Sequence, residues 1–535
     1  MAHPSEDPML EGKAGSLPVV ARATGITLSG VFRRAVRVYG NRTAVVSPDQ
    51  SLTYAELGAR ASQVGNALSA LGIGHGDRIA VLAENRPEYV ETYIAAASLG
   101  VTVVALNTRL HPGELAYCVQ QAKPKLLVTS AALIAVADQF RNAVPSVGTW
   151  ICYDGNDRDG YLGYREVAAA APSSDPDADP GAEDIHNVLF TSGTTGRPKG
   201  AMISQRAAAT RGLRLAQWLR LTEDDGFVGW VPLFHCGGDE PLYATFTTGG
   251  TYATLPKADV ETMFTLIERH RLTWTLLLPG VITDFLHHPR REDFDLSSFR
   301  MAGGYANMMP RVIEELTKTM HIDYFDAFGQ TESSLLVAHG WCHPGIEPSL
   351  RKTPTPLMDI RLVDDDQQEV DVGVPGECVV RGPTVMSGYL DNPEATGEAF
   401  RGGWLHTGDV LVRHEDGTLT YTDRKKYLIK TGGENVYPAE VETVIAAHPA
   451  VQEVCVLGVP DEHWGETIKA VIVTSPGHTV TSAELVQWCR QQLAGYKRPR
   501  YIEFRTSDDM PRSTTGKLLR HELAALPATE DQRVQ

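Results

Sequence analysis

Ten residues, Thr191-Ser-Gly-Thr-Thr-Gly-Arg-Pro-Lys-Gly200, concentrate hydroxyls, glycines and a lysine in one run. Glycines let backbone amides approach an anion closely, and hydroxyls can donate to phosphate oxygens. Lys199 adds positive charge. The run is not a Walker A loop, because Lys199 is followed by Gly200 and the G-x4-G-K spacing is absent. A strand is predicted just before it, Ile185 to Phe190. The chemistry on offer is phosphate binding at a local site.

Further runs follow in order. They are Val231-Pro-Leu-Phe-His-Cys-Gly-Gly238, Met301-Ala-Gly-Gly-Tyr-Ala306, Phe328-Gly-Gln-Thr-Glu332 and Trp404-Leu-His-Thr-Gly-Asp409. Asp423-Arg-Lys-Lys426, Gly432-Gly-Glu-Asn-Val-Tyr-Pro438 and Pro511-Arg-Ser-Thr-Thr-Gly-Lys517 complete the set. With the Thr191–Gly200 run, they resemble the ordered motifs of the adenylate-forming superfamily. That superfamily comprises acyl-CoA synthetases, peptide-synthetase adenylation domains and beetle luciferases. The resemblance covers roughly residues 25 to 525 and is nearest to the AMP-forming acyl-CoA synthetases.

The resemblance implies ATP-dependent activation of a carboxylic acid as an acyl-adenylate, then transfer to coenzyme A. A carboxylate is a poor electrophile, and charge repulsion opposes its attack on a triphosphate. Positioning and placed cations should therefore supply most of the catalysis. By match to the family, Lys517 bridges carboxylate and phosphate oxygens. Thr191, Ser192, Gly193, Thr194, Thr195 and Lys199 cradle phosphate. Thr331 and Glu332 hold a phosphate oxygen and Mg²⁺, for which a single carboxylate suffices. Gly303, Gly304 and Phe328 border the adenine, and Asp326 and Gly329 bind the nucleotide. Phe328 stands where the family usually has Tyr and keeps the stacking surface. Asp409 accepts the ribose hydroxyls, with Arg424 as a nearby donor. His235 lines the acyl pocket and gates the pantetheine tunnel. Gly432 and Gly433 belong to the loop met in thioester formation, and Lys426 is the hinge residue.

Three departures bear on the acid. Tyr305 replaces a small residue and could shorten the pocket or stack on an aromatic group. Leu350-Arg-Lys-Thr-Pro-Thr-Pro356 replaces a Gly-rich segment, and its Arg351 and Lys352 read as solvated. Tyr427 follows the hinge where Asp is frequent. Asp239 and Glu240 after the gate read either as a solvated pair at a helix start or as a pair of which one, with Asp239 named, faces the acyl pocket and recognises a hydroxyl or amine on the substrate. With Tyr305 they favour a short or aromatic acid over an unadorned fatty chain, fatty acid metabolism being one context for this chemistry. No Asp follows Phe234, which argues against α-amino acids. The alternative enzyme reading passes the acyl group to an amine or a carrier protein. The non-enzyme alternative is a nucleotide-binding regulator, against which Lys517 and Glu332 stand.

Positioning these motifs needs a scaffold. Helix and strand patterns alternate from Ser51, where a helix is predicted to run to about Leu71. Arg78–Ala83, Val101–Leu106 and Leu126–Thr129 read as strands. Residues 172–184 form a Pro/Asp-rich loop. A helix is predicted from Pro438, strands at Val454–Leu457 and Ala470–Val473, and a capping box at Thr481-Ser-Ala-Glu484. The expected fold class is α/β. A large N-terminal domain of layered α/β subdomains with a β-rich part, residues 1–424, precedes a small α+β C-terminal domain, 425–535, joined by a hinge.

The chain of 535 residues is too long for one compact core. Its Lys+Arg count of 49 against 66 Asp+Glu gives −17. That balance disfavours generic nucleic-acid binding. Seven widely spaced cysteines without C-x-x-C argue against disulfide frameworks and zinc knuckles and fit a reducing compartment. No apolar stretch reaches the ~18 residues of a membrane span. The expected protein is cytoplasmic, a monomer or homodimer, with a carboxylic acid, ATP and CoA as its partners.

Overall fold

Short Val/Ile/Leu-rich runs form fully buried strands between helices. Arg78–Leu82, Thr102–Ala105 and Leu126–Thr129 pair in parallel, at the centre of a seven-stranded sheet. Continuous apolar strands of this kind require cover on both faces. The edge is the antiparallel pair Ile185–Thr191 and Lys199–Ser204. The computed structural model describes residues 23–155, 159–191, 198–278, 281–304, 310–431, 434–461, 464–512 and 518–534.

A nine-stranded sheet lies beside it. Its central strands, Gly226–Gly229, Trp274–Leu276, Met301–Gly304 and Asp323–Gln330, are parallel. Ser334–Cys342 returns antiparallel on Asp323–Gln330. The expected helix start at Ser51 is corrected: Ser51–Thr53 is an antiparallel strand on Thr43–Val46. Leu52 is buried there, and the helix Tyr54–Ala70 begins only after Thr53, whose side chain and Glu56 make a capping box.

Helices Gln205–Trp218 and Cys236–Thr248 pack at close range. A Cβ on Gly212 would lie 2.6 Å from the Tyr243 carbonyl carbon, so only glycine permits the approach. A four-stranded antiparallel sheet follows, ordered Asp359–Val363, Pro375–Arg381, Leu405–Arg413, Leu419–Arg424. A five-stranded sheet closes the chain: Glu434–Val436, Ile429–Thr431, Gly465–Thr474 and Val451–Asp461, with Tyr501–Arg505 parallel to Gly465–Thr474. Helices Pro438–Ala446 and Ser482–Arg490 start where expected, and Val441, Ile445, Ile468 and Leu485 share a core of their own. The architecture is thus mixed α/β, large N-terminal and small C-terminal, as expected. The seven cysteines are buried and form no disulfide. Among the described residues no helix is long and apolar enough to cross a membrane.

Candidate active site

Thr191 ends one strand of the edge hairpin, Lys199 opens the next, and the two are register partners. Ser192, Gly193, Thr194 and Thr195 lie outside the described residues. Residues 387–390 hydrogen-bond along the hairpin's free edge: Ser387 N–H to the Met202 carbonyl, Met202 N–H to Gly388, Leu390 N–H to Gly200. This augmentation delivers Tyr389. Its hydroxyl donates to Glu332 Oε1 at 2.9 Å, and Thr191 Oγ1 donates to the same oxygen at 3.3 Å. Lys199 Nζ sits over the Tyr389 ring, 5.2 Å from its centroid, a cation–π distance.

Thr331 and Glu332 occupy the turn between Asp323–Gln330 and Ser334–Cys342. Gly329 is required at the turn's entry, since a Cβ there would lie 2.0 Å from the Ser334 carbonyl oxygen. Glu332 is buried apart from a narrow exposed edge. Phe328 is buried, its ring tilted against Tyr421 with centroids 6.2 Å apart.

Asp409 and Arg424 face each other across an antiparallel ladder, and Arg424 Nε meets Asp409 Oδ1 at 2.8 Å. Asp409 holds the Arg424 guanidinium above its ordinary range, and Tyr421 and Glu332 add to that. The cluster therefore runs Lys199–Tyr389–Glu332–Arg424–Asp409, with Tyr421 and Phe328 alongside.

His235 caps helix Cys236–Thr248 and is half-buried. The loop before it is clamped by buried Asn85. Asn85 Nδ2 donates to the carbonyls of Gly229 at 2.9 Å and Val231 at 2.8 Å, and its Oδ1 accepts from Leu233 N–H at 2.8 Å. Tyr93 OH donates to the Leu233 carbonyl at 2.9 Å. Burial pushes the Cys236 thiol up, Glu240 and Asp239 add to this, and Arg211 and a hydrogen bond to Thr331 oppose it. The segment around His235 and the Thr331–Glu332 turn are thus in contact.

The reading of Asp239 and Glu240 as a solvated pair is corrected, because they are 1% and 0% exposed. Asp239 Oδ2 accepts from Asn187 Nδ2 at 2.9 Å and Tyr243 OH at 3.0 Å. Burial pushes its carboxyl up to about 7, with Glu240 adding to the shift. Glu240 pairs with Arg211. Lys352 is corrected in the same way. It is 2% exposed, and its ammonium bonds the buried Asp326 carboxylate across the sheet. Asp326 Oδ1 has no hydrogen-bond partner among the described residues, so an acceptor remains beside Phe328. Gly303 lies under the Phe325 ring, where a Cβ would fall 2.0 Å from Cζ. Gly304 ends the strand Met301–Gly304.

Tyr305, Gly432, Gly433 and Lys517, and the side chain of Lys426, lie outside the described residues. Sequence reasoning missed Tyr389, Asn85 and Arg211. Each is a single residue without a spacing pattern, and only the packing shows what it holds.

Residues 32–390 match the AMP-binding enzyme family, and residues 440–517 match the AMP-binding enzyme C-terminal domain. The chain is 32% identical over 499 residues to an indoleacetate–CoA ligase of Aromatoleum aromaticum, spanning 91% of this chain and 95% of that protein. It is 32% identical over 503 residues to a long-chain-fatty-acid–CoA ligase of Mycobacterium tuberculosis, spanning 92% and 96%. The crystal structure of an anthranilate CoA ligase in complex with anthranoyl-AMP is similar, with a TM-score of 0.86 at 28% identity, covering 96% of this chain and 98% of that chain. The chain belongs to the adenylate-forming superfamily of AMP-binding enzymes, as an AMP-forming carboxylic acid–CoA ligase.

Proposed function

We propose that the enzyme activates a short or aromatic carboxylic acid, and that the cluster from Lys199 to Asp409 is its nucleotide site. The observation that carries this reading is the shared engagement of Glu332 Oε1 by Thr191 and Tyr389. It joins the hydroxyl-rich run to the Thr-Glu turn, residues 141 positions apart in the chain. Asp409 with Arg424 is the ribose-binding pair, Phe328 the adenine face and Asp326 Oδ1 an acceptor at its edge. Thr331 and Glu332 would hold Mg²⁺. One carboxylate with a hydroxyl beside a triphosphate is a donor set magnesium uses, and when bound it supplies charge neutralisation.

The acid carboxylate attacks the α-phosphate, and pyrophosphate leaves with the broken P–O bond. Lys517, with Lys199 and the hydroxyls of residues 191–195, offsets the charge that gathers on the phosphates. In the second half-reaction the CoA thiol, losing its proton, attacks the acyl carbonyl carbon, and AMP leaves. His235 and Phe234 border the route of both acid and thiol. We place the hinge at Lys426, between residues 1–424 and 425–535, so that Lys517 and the Gly432-Gly433 loop serve successive steps.

Two of the three relatives named above act on aromatic acids by their names, and Tyr305 supports the same class. The fatty-acid relative sets the comparison arm. The test is pyrophosphate release on a panel of aromatic, short-chain and long-chain acids, with and without CoA. Turnover highest on aromatic or short acids and strictly CoA-dependent beyond one equivalent is expected. Highest turnover on long chains would overturn the acid class.

A further inference from the structure

Helix Gln205–Trp218 carries two arginines, Arg211 and Arg214, each 1% exposed. A guanidinium keeps its charge in proteins, so burying two of them demands a specific set of acceptors. Arg211 divides its donors among three separate segments. Nε donates to the Thr384 carbonyl at 2.9 Å and Nη2 to the Thr331 carbonyl at 3.0 Å. Nη1 lies 3.3 Å from Glu240 Oε1. Arg214 Nη2 donates to Ser334 Oγ at 2.5 Å and Nη1 to Thr384 Oγ1 at 3.4 Å.

The acceptors converge on one turn. Ser334 Oγ donates to Glu240 Oε2 at 2.7 Å, and Leu335 N–H donates to Glu240 Oε1 at 3.0 Å. Thr384 Oγ1 donates to the Ser333 carbonyl at 2.9 Å. Residues 331, 333, 334 and 335 are thus each gripped from the protein side. Ser334 has φ +118, a conformation costly for a residue with a Cβ. Strain of this kind persists only where surrounding contacts over-determine it. Glu240 in turn stands on the first turns of the helix that His235 caps.

We propose that Arg211 is a positioning residue for adenylation. It sets the Thr331–Glu332 turn and, through Glu240, locks that turn to the helix carrying the acyl gate. The proposal rests on the reading of Thr331–Glu332 as the phosphate and metal site. A buried ion pair adds little net stability over well-packed apolar groups, whereas a planar fork fixes the relative geometry of three segments. Lysine, a point charge, could satisfy Glu240 but not the two carbonyls as well.

Arg211→Lys tests this, because it keeps a cation opposite Glu240 and removes the fork. In the full-length enzyme, single-turnover adenylation is measured with the best acid of the panel. Thioester formation is measured from its synthetic acyl-adenylate, with active sites titrated. Misplacing catalytic groups by a fraction of an ångström to one ångström should slow adenylation about 10- to 100-fold. Thioester formation should stay within about threefold, and half-maximal adenylation should need more Mg²⁺. Ser334→Gly is the second variant. Glycine suits φ +118, so the chain folds, while the hydroxyl shared by Arg214 and Glu240 is lost. It leaves the Arg211 contacts in place and tests the Glu240 link of the same lock, where the same selectivity is expected; if Arg211→Lys does not fold, Arg211→Gln is measured in its place. Equal loss in both half-reactions, or loss in neither, overturns the proposal. Glu332→Gln separates the two readings: wild-type adenylation in that variant would fail the reading of the turn itself. A defective Glu332→Gln beside unselective Arg211→Lys and Ser334→Gly would fail the positioning role alone.

Discussion

Tyr389→Phe removes one oxygen atom and isolates one contact. The Tyr389 hydroxyl donates to Glu332 Oε1 at 2.9 Å, whereas the other donor, Thr191, stands at 3.3 Å. Burial first, then the Glu332 carboxylate, holds the phenol above its ordinary range, so it stays a donor at working pH. A hydrogen bond to a charged acceptor contributes about 1.5–3 kcal/mol. Glu332 keeps a narrow exposed edge from which water can partly substitute, which favours the lower end. At 1.36 kcal/mol per decade, adenylation should slow about tenfold. Phenylalanine keeps the ring under Lys199, so that contact survives. Tyr389→Leu removes the ring as well and should cost a further ~0.5–1 kcal/mol, another two- to fivefold. The assay is single-turnover pyrophosphate release at saturating ATP and acid. A loss below twofold in Tyr389→Phe, or equal rates in the two variants, would refute the role assigned to the hydroxyl and the ring.

Asp239 should make stability pH-dependent. Its carboxyl sits at about 7 when folded, against ~3.9 unfolded. The folded state therefore binds the proton more tightly, and this stabilisation is lost as pH rises from ~4 through 7, on the order of 4 kcal/mol in all. Asp239→Asn, beside Asn187, Tyr243, Glu240 and Arg211, should gain in melting temperature over wild type between pH 5 and 8; a flat difference would contradict this. Lys352→Met strands Asp326 as a buried charge and should destabilise by about 3–5 kcal/mol in denaturant unfolding. Adding Asp326→Asn should recover most of that stability while leaving ATP affinity low; no recovery would show the pair is not the cause. Lys426→Pro fixes φ near −65° and removes a backbone donor. It should slow thioester formation far more than adenylation, with Lys426→Ala affecting both little, read by single-turnover kinetics.

Much of the scaffold was legible because burial on both faces imposes its own pattern. Ile79-Ala-Val-Leu82 reads as a central strand because it is apolar at every position, short and β-branched, whereas the equally buried run Tyr93–Ala97 is alanine-rich and lies in a helix. Glycine-rich runs were legible for a related reason, that close backbone approach leaves few residue types, as at Gly329. Ser51–Thr53 was misjudged because three residues carry too little periodicity to separate a strand from a helix start. The charges were misjudged for a different reason. Asp239, Glu240 and Lys352 look solvated from their neighbours in sequence, but their partners lie far along the chain, Asn187, Arg211 and Asp326 among them. A partner of that kind is invisible to local spacing. The same holds for Tyr389, whose meeting with Glu332 depends on residues 387–390 docking along an edge strand.

The most direct test of the proposal that Lys517 serves adenylation and not the thioester step is Lys517→Ala, with each half-reaction measured separately. Removing a cation from developing phosphate charge costs ~3–4 kcal/mol, or ~10²–10³-fold in rate. Acyl-adenylate formation should nearly vanish while ATP still binds, and the variant should still convert supplied acyl-adenylate and CoA to thioester. Pyrophosphate release at the wild-type rate, or loss of the thioester step to the same degree, would contradict the account.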